Sequence, residues 1–128
     1  MVRIGQPVVH ELSVTQGILD VVLEVAPQHN ARHIKSIDLV IGDLSGYVDD
    51  SIQFYFDILS RDTLAEGATL IFRRIPATAS CLACGHQFRT GAPLLPLCPA
   101  CDGTRLQVTG GKELYVDSIE VDDENSSS

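Results

Sequence analysis

The sequence predicts an α+β fold: a small three-stranded sheet with two helices, interrupted by an inserted cysteine-bearing module. Three observations predict it. Apolar residues recur at helical spacing in two segments, and strand-like apolar runs appear in three others. Two Cys-x2-Cys pairs lie between the second and third of those runs. With 128 residues, 45% of them hydrophobic, the chain can bury one modest core and carry a metal-stapled satellite.

Residues 1–8 read as an irregular lead-in, because Gly5 and Pro7 oppose regular structure. Ser13 and Gln16 have the spacing of a capping box, which opens a first helix. Val14, Ile18, Val21, Val22 and Val25 form its apolar stripe; Pro27 ends it and Asn30 suits the turn beyond. Ile37, Leu39 and Ile41 alternate with Asp38 and Val40 as a first strand, stopped by Gly42. Asp50 and Gln53 offer a second capping box, ahead of Ile52, Tyr55, Phe56 and Leu59 on a second helix. Glu66-Gly67 is turn chemistry, and residues 68–75 form a second strand closed by Pro76. Residues 113–121 form the third, with Leu114 and Val116 on one face and Tyr115, Ile119 and Val121 on the other. The α/β part therefore comprises residues 1–76 and a final strand within 107–121, split by an insertion at 77–106. An acidic, serine-rich tail, 122–128, is expected to be disordered.

Composition excludes several functions. A formal net charge of −8 repels phosphate backbones, and 5% aromatic residues with no tryptophan give no platform for stacking bases. Nucleic acid is not an expected partner. No apolar run reaches the roughly 18 residues of a membrane span, and no secretory signal follows Arg3. No phosphate loop, Gly-rich fingerprint or paired nucleophile and base is present, so an enzyme is not expected. Paired cysteines in such a chain fit metal binding in a cytoplasmic protein better than a disulfide framework.

Cys81-x2-Cys84 and Cys98-x2-Cys101 are separated by thirteen residues, the pattern of a zinc ribbon with two knuckles. Gly85 after the first pair and Asp102-Gly103 after the second permit the left-handed turns that aim backbone amides at sulfur. Pro99 stiffens the second knuckle, and Gly91, Pro93 and Pro96 reverse the chain between the two. Four thiolates leave no open position for water, so the expected role of Zn(II) is structural. Spacing alone does not separate zinc from a rubredoxin-like iron site. A dithiol redox pair is the third reading, and the two matched knuckles argue against it.

Other polar residues admit bland readings. Asp43 and Ser45 follow strand one and suit either a turn or a place near a second metal. His86 is either a surplus ligand or a solvated residue, and His29 and His33 read as surface positions. Asp49-Asp50 complement a helix dipole.

Six segments, in order, carry a family resemblance: His10-Glu11-Leu12-Ser13, Ile41-Gly42-Asp43-Leu44-Ser45-Gly46, Glu66-Gly67-Ala68, Cys81-Leu82-Ala83-Cys84-Gly85, Cys98-Pro99-Ala100-Cys101, and Gly111-Lys112-Glu113-Leu114 leading to Ile119-Glu120-Val121. Together they resemble the hydrogenase nickel-incorporation proteins of the HypA/HybF type, from Val9 to Val121. The resemblance implies that residues 1–76 and 107–121 form a nickel-binding domain. It implies a nickel metallochaperone for [NiFe]-hydrogenase, with urease a further client in some relatives. Its cargo is transient Ni(II), held by His10 with Glu11 supplying a neighbouring backbone or carboxylate group. The implied partners are a hydrogenase-maturation GTPase and the hydrogenase large subunit precursor, in a monomer or a dimer. Imidazole with main-chain nitrogen imposes a tetragonal geometry that suits Ni(II) and disfavours tetrahedral zinc. The alternative is a zinc-ribbon interaction module without nickel transfer.

The family motif opens Met-His-Glu, and Val9 stands at the methionine position behind eight further residues. A free amine at position 9 would add a nitrogen donor. A chain beginning at residue 9, with methionine there, is expected to bind Ni(II) more tightly than the full chain. Equal affinities by calorimetry would remove the amine from the site.

Overall fold

The computed structural model describes residues 6–91 and 97–123. The chain runs α1 (Gln6–Val25), a 3-10 turn (Ala26–His29), β1 (Ala31–Gly42), α2 (Asp49–Leu59), β2 (Thr69–Ile75), β3 (Ala77–Cys81), β4 (Gln87–Thr90), β5 (Leu106–Thr109) and β6 (Leu114–Asp123). The strands form two three-stranded sheets, a mixed one in the order β2-β1-β6 and an antiparallel one in the order β4-β3-β5. The expected α+β class, two helices and first sheet are all present; the second sheet is additional. Two compact units result. The first comprises Met1–Leu39, Tyr47–Phe72 and Tyr115–Ser128; the second comprises Val40–Gly46 and Arg73–Leu114. Among the described residues no helix is long and apolar enough to cross a membrane.

In the first unit, α1 begins seven residues before the expected cap at Ser13. Residues 6–8 are therefore helical, not an irregular lead-in; Pro7 sits in the first turn, where its missing N–H costs nothing. Residues 1–5 lie outside the described residues. Ser13 is exposed inside the helix, and Gln16 donates to Asp20 Oδ1 at 2.9 Å, so the capping box does not form. The buried stripe is Glu11, Thr15, Ile18, Leu19, Val22 and Ala26, rotated from the expected one; Val21 is exposed. Thr15 joins it because its hydroxyl donates to the Glu11 carbonyl at 2.6 Å, removing the cost of burying it. Pro27 ends α1 within the 3-10 turn, and Asn30, at φ 59°, returns its amide to the Pro27 carbonyl.

Helix α2 has Val48 at its N-cap with no side-chain cap, so the Asp50–Gln53 box is also absent. Gln53 instead bridges: its amide donates to Asp57 at 2.8 Å and its carbonyl oxygen accepts the Leu70 N–H at 3.2 Å. Ile52 and Phe56 are fully buried, as are Ile34, Ile37 and Leu39 of the same unit, with Leu70 nearly so. The expected turn at Glu66-Gly67 forms, with Gly67 at φ 79° and the Glu66 carbonyl 2.9 Å from His33 Nε2. In β6 Leu114, Val116, Ile119, Val121 and Asp122 are half-buried, while Tyr115 is exposed. Asp122 and Asp123 extend this strand; residues 124–128 of the expected disordered tail lie outside the described residues.

The second unit gathers two stretches of chain. Residues expected to belong with the final strand divide: Leu106–Thr109 pairs with β3 in the register Thr78↔Thr109 to Cys81↔Leu106, and β6 starts only at Leu114. Gly110 and Gly111, at φ 73° and 85°, turn the chain between them. Residues 42–44 are stitched to this turn. Gly42 N–H donates to the Glu113 carbonyl at 2.8 Å, Leu44 N–H to Gly111 at 2.6 Å, and Asp43 N–H to Ile75 at 2.8 Å. Gly42 and Gly111 pass so closely that a Cβ on Gly42 would overlap the Gly111 carbonyl. Gly42→Ala is therefore expected to destabilise the protein by about 1–3 kcal/mol, the usual range for overpacking, or more because backbone is what it meets. Chemical denaturation with an unchanged midpoint would show that the strand yields freely.

Candidate metal centre

Both cysteine pairs sit in turns of the same construction. Cys81 closes β3; its carbonyl accepts the Gly85 N–H at 2.8 Å, and its own N–H donates to the His86 carbonyl at 2.9 Å. The second pair repeats this: Asp102 N–H to the Cys98 carbonyl at 2.8 Å, and Cys98 N–H to the Gly103 carbonyl at 2.9 Å. Gly85 at φ 79° and Asp102 at φ 59° take the left-handed conformation the sequence led us to expect at both. The Ala100 amide reaches the Cys98 sulfur at 3.4 Å. Residues 92–96, including Pro93 and Pro96 of the reversing loop, lie outside the described residues.

The two knuckles bring four sulfurs to one point. Cys81 Sγ lies 3.6 Å from Cys101 Sγ and Cys84 Sγ 3.7 Å from Cys98 Sγ; all four lie within 4.8 Å of one another. A tetrahedron of about 2.3 Å zinc–sulfur bonds has edges of about 3.8 Å, so the donor set already has the right dimensions. Each pair contributes one buried cysteine, Cys81 or Cys98, and one exposed, Cys84 or Cys101. Gly103 leaves room for this packing: a Cβ there would stand 3.2 Å from Cys101 Sγ and 3.4 Å from Cys81 Sγ. Its importance was not legible from the cysteine spacing, only from the sulfurs' position.

Electrostatics within the cluster are uneven. The Cys84 amide, aided by that of Ala83, points at the Cys81 sulfur and lowers its pKa from 9.0 to about 6 despite burial. For Cys101 the Gly103 amide pulls the pKa down, but the Cys84 and Cys81 sulfurs and burial outweigh it, and the thiol is held up at about 12. At Cys84 the amide of His86 acts downward, yet burial and the Cys98 and Cys81 sulfurs raise the thiol overall. Sulfurs this close cannot all ionise without a cation among them.

The remaining candidates lie elsewhere. His86 is exposed and stacks on Phe88, ring centroids 5.8 Å apart at 16°, outside the four-sulfur group. Asp43 packs its carboxylate against Gly91, where a Cβ would stand 2.9 Å from Oδ2. Glu11, in the first unit, is 7% exposed, and its Oε2 accepts the Val48 N–H at 2.7 Å. This contact fixes the start of α2 to α1, and nothing in the sequence pattern signalled it. His10 lies within α1; its side chain lies outside the described residues.

The family profile described as hydrogenase/urease nickel incorporation, metallochaperone, HypA, matches residues 9–121. The chain belongs to the HypA family. A hydrogenase maturation factor HypA of Dehalococcoides mccartyi is 49% identical over 119 residues, covering 93% of this chain and 99% of the relative. Another, from Caldanaerobacter subterraneus, is 41% identical over 114 residues, covering 88% and 99%. The solution structure of the Ni metallochaperone HypA from Helicobacter pylori shares the fold with a TM-score of 0.60 at 23% identity, over 89% of this chain and 98% of that one. A second solution structure of a HypA protein gives a TM-score of 0.64 at 24% identity, over 91% of this chain and 98% of that one. As a member of the HypA family the chain is a hydrogenase maturation factor and nickel metallochaperone with a four-cysteine cluster, and not an enzyme.

At pH 7, Cys81 is ionised while Cys84 and Cys101 keep their protons, so filling the cluster must expel a proton from each of the latter. Zinc binding by the metal-free protein is expected to release at least two protons and to weaken roughly hundredfold per pH unit on acidification. Titration calorimetry in buffers of differing ionisation enthalpy measures this directly. A heat independent of buffer would contradict it.

Proposed function

We propose that this chain carries Ni(II) as transient cargo for [NiFe]-hydrogenase maturation, holding it at His10 and Glu11, while Cys81, Cys84, Cys98 and Cys101 keep a structural Zn(II). The observation that carries the reading is the closed set of four sulfurs within 4.8 Å. Such a set satisfies a tetrahedral d10 ion completely and offers no tetragonal site, so a nickel cargo needs other donors. In a HypA family member those donors are the histidine and main-chain nitrogens at the motif His10-Glu11.

The Glu11 carboxylate is buried and accepts the Val48 amide, which supports a positioning role between α1 and α2 and leaves the residue's backbone as its proposed contribution to nickel. Because α1 begins at Gln6, the amides of His10 and Glu11 fall within the helical ladder, where each donates to a carbonyl four residues earlier. Coordination by those nitrogens requires the first turns to open. Nickel binding is thereby set against helix formation, which keeps the ion exchangeable.

The proposed partners are a hydrogenase-maturation GTPase, which would supply the phosphate loop this chain lacks, and the hydrogenase large subunit precursor. The proposed setting is the cytoplasm, where thiols stay reduced. Metal counting tests the whole reading. Protein loaded with both metals is expected to hold one zinc and one nickel, and His10→Ala to lose the nickel alone. Far-UV circular dichroism should lose helical signal as nickel binds. Nickel retained by His10→Ala and lost with the cysteines would favour the ribbon as a pure interaction module.

A further inference from the structure

Apart from the sulfur cluster, the second unit opens a cavity of about 610 Å³ lined by Leu44, Val108, Gly110, Lys112 and Glu113. That volume falls in the range of small-ligand sites, about 300–1,000 Å³. Backbone pairing sets its walls. Leu44 N–H donates to the Gly111 carbonyl at 2.6 Å, and Gly42 N–H to the Glu113 carbonyl at 2.8 Å. Val108 stands opposite Ala79 in the β3–β5 ladder and is 39% exposed.

Glu113 is the unexplained member. Its Oε1 is buried, and among the described residues no group donates to it. Its Oε2 lies beside Gly110, where an added Cβ would stand 3.2 Å away, so the glycine leaves the carboxylate uncrowded. Lys112 is exposed, and among the described residues no ion pair joins it to Glu113. A carboxylate oxygen shut off from water is costly without a donor, and folded proteins nearly always provide one. Here the fold fixes the acceptor and brings no donor of its own.

The lining decides which ligand brings that donor. One carboxylate serves a hard metal ion poorly, since such ions take about six or more oxygens. Phosphates and other anions are repelled by Glu113, and a wholly apolar ligand leaves its oxygen unpaired. Leu44 and Val108 suit an aliphatic stem, while the carboxylate suits a cationic head. A guanidinium fits better than an ammonium, because its planar fork reaches both oxygens of one carboxylate. We propose that the cavity receives an arginine side chain of a partner protein, its stem on Leu44 and Val108 and its guanidinium on Glu113. A peptide segment brings backbone and neighbouring side chains with the arginine, which a cavity of this volume accommodates and a free alkylammonium does not fill. The site does not depend on the nickel-donor reading.

The test uses the full zinc-loaded chain and, as probe, a capped pentapeptide with one arginine between valines. Proton–nitrogen correlation NMR is expected to show saturable shifts at the amides of Gly110, Gly111 and Glu113, and none at Gly85. The same peptide with citrulline, neutral and nearly isosteric, should bind at least about tenfold more weakly, as the loss of a charge-assisted pair implies. Glu113→Gln should erase that preference. Lys112→Met, which removes a like charge from the lining, should tighten binding of the arginine peptide. Zinc content and far-UV dichroism should match wild type in both variants. Equal binding of the two peptides by the unaltered chain would overturn the proposal, whatever the variants do. Weaker binding by Lys112→Met would mean that the cavity holds an anionic group, with the same consequence. Putrescine bound more tightly than the arginine peptide would assign the cavity to a free polyamine, not a partner's side chain. No saturable shift at millimolar peptide would remove the site.

Discussion

Four sulfurs held within 4.8 Å of one another are an electrostatic problem that only a cation solves. The peptide around them begins the solution: amides of Cys84 and Ala83 draw Cys81 down to about 6, so one thiolate is ready at neutral pH. Cys84 and Cys101 resist, Cys101 up to about 12, because neighbouring sulfurs oppose each further negative charge. The cluster is therefore poised, not self-sufficient. A divalent ion converts mutual repulsion into four bonds, and structural zinc in small modules is worth roughly 10–16 kcal/mol of apparent binding free energy. The four-residue strands β4 and β5, with one intervening five-residue strand, bury too little apolar surface to rival that figure.

The consequence reaches along β3. Its C-terminal residue, Cys81, is a sulfur donor, and its N-terminal residue, Ala77, lies against Gly111, where an added Cβ would come 2.7 Å from Ala77 Cβ. Gly111 in turn accepts the Leu44 N–H. One short strand is thus fixed by the knuckles at one end and by the stitched turn at the other. The glycines at 42 and 111 are where they are because two backbones must touch there, and any side chain would separate them.

Much of this was legible in the sequence, and the failures have physical causes. The knuckles were fully readable because metal chemistry constrains spacing: Cys-x2-Cys followed by a residue tolerant of positive φ admits few other folds. Asn30 and Gly67 were readable for the same local reason. Both capping boxes failed because Ser13 and Gln53 had alternatives that tertiary structure supplied: a helix continuing to Gln6, and a bridge from Gln53 to Leu70. Thr15 was missed as a core residue since its hydroxyl is satisfied within the helix, which no apolar pattern reveals. The second sheet was hidden because β4 and β5 are only four residues each, too short for alternation to register. The Glu11–Val48 contact spans 37 residues, beyond the reach of any local rule.

That contact also bears on how a carrier surrenders its cargo. Nickel held by a sulfur cage would stay, since every bond would have to break without competition from within the protein. At the proposed nickel site, main-chain nitrogens in the first turns of α1 would face a competitor built into the fold, because the same atoms close helical hydrogen bonds when no metal is bound. Each such bond is worth only about 0.5–1.5 kcal/mol net, enough to bias release over a few turns without preventing capture. Glu11 keeps the rest of the helix in place during the exchange. Its buried carboxylate, tied to α2 by the Val48 amide, holds α1 in place just ahead of the buried Ile18, Leu19 and Val22 of the same helix. On the proposed reading, opening would be confined to the first turns of α1, and the buried side chains further along the helix would not share the cost.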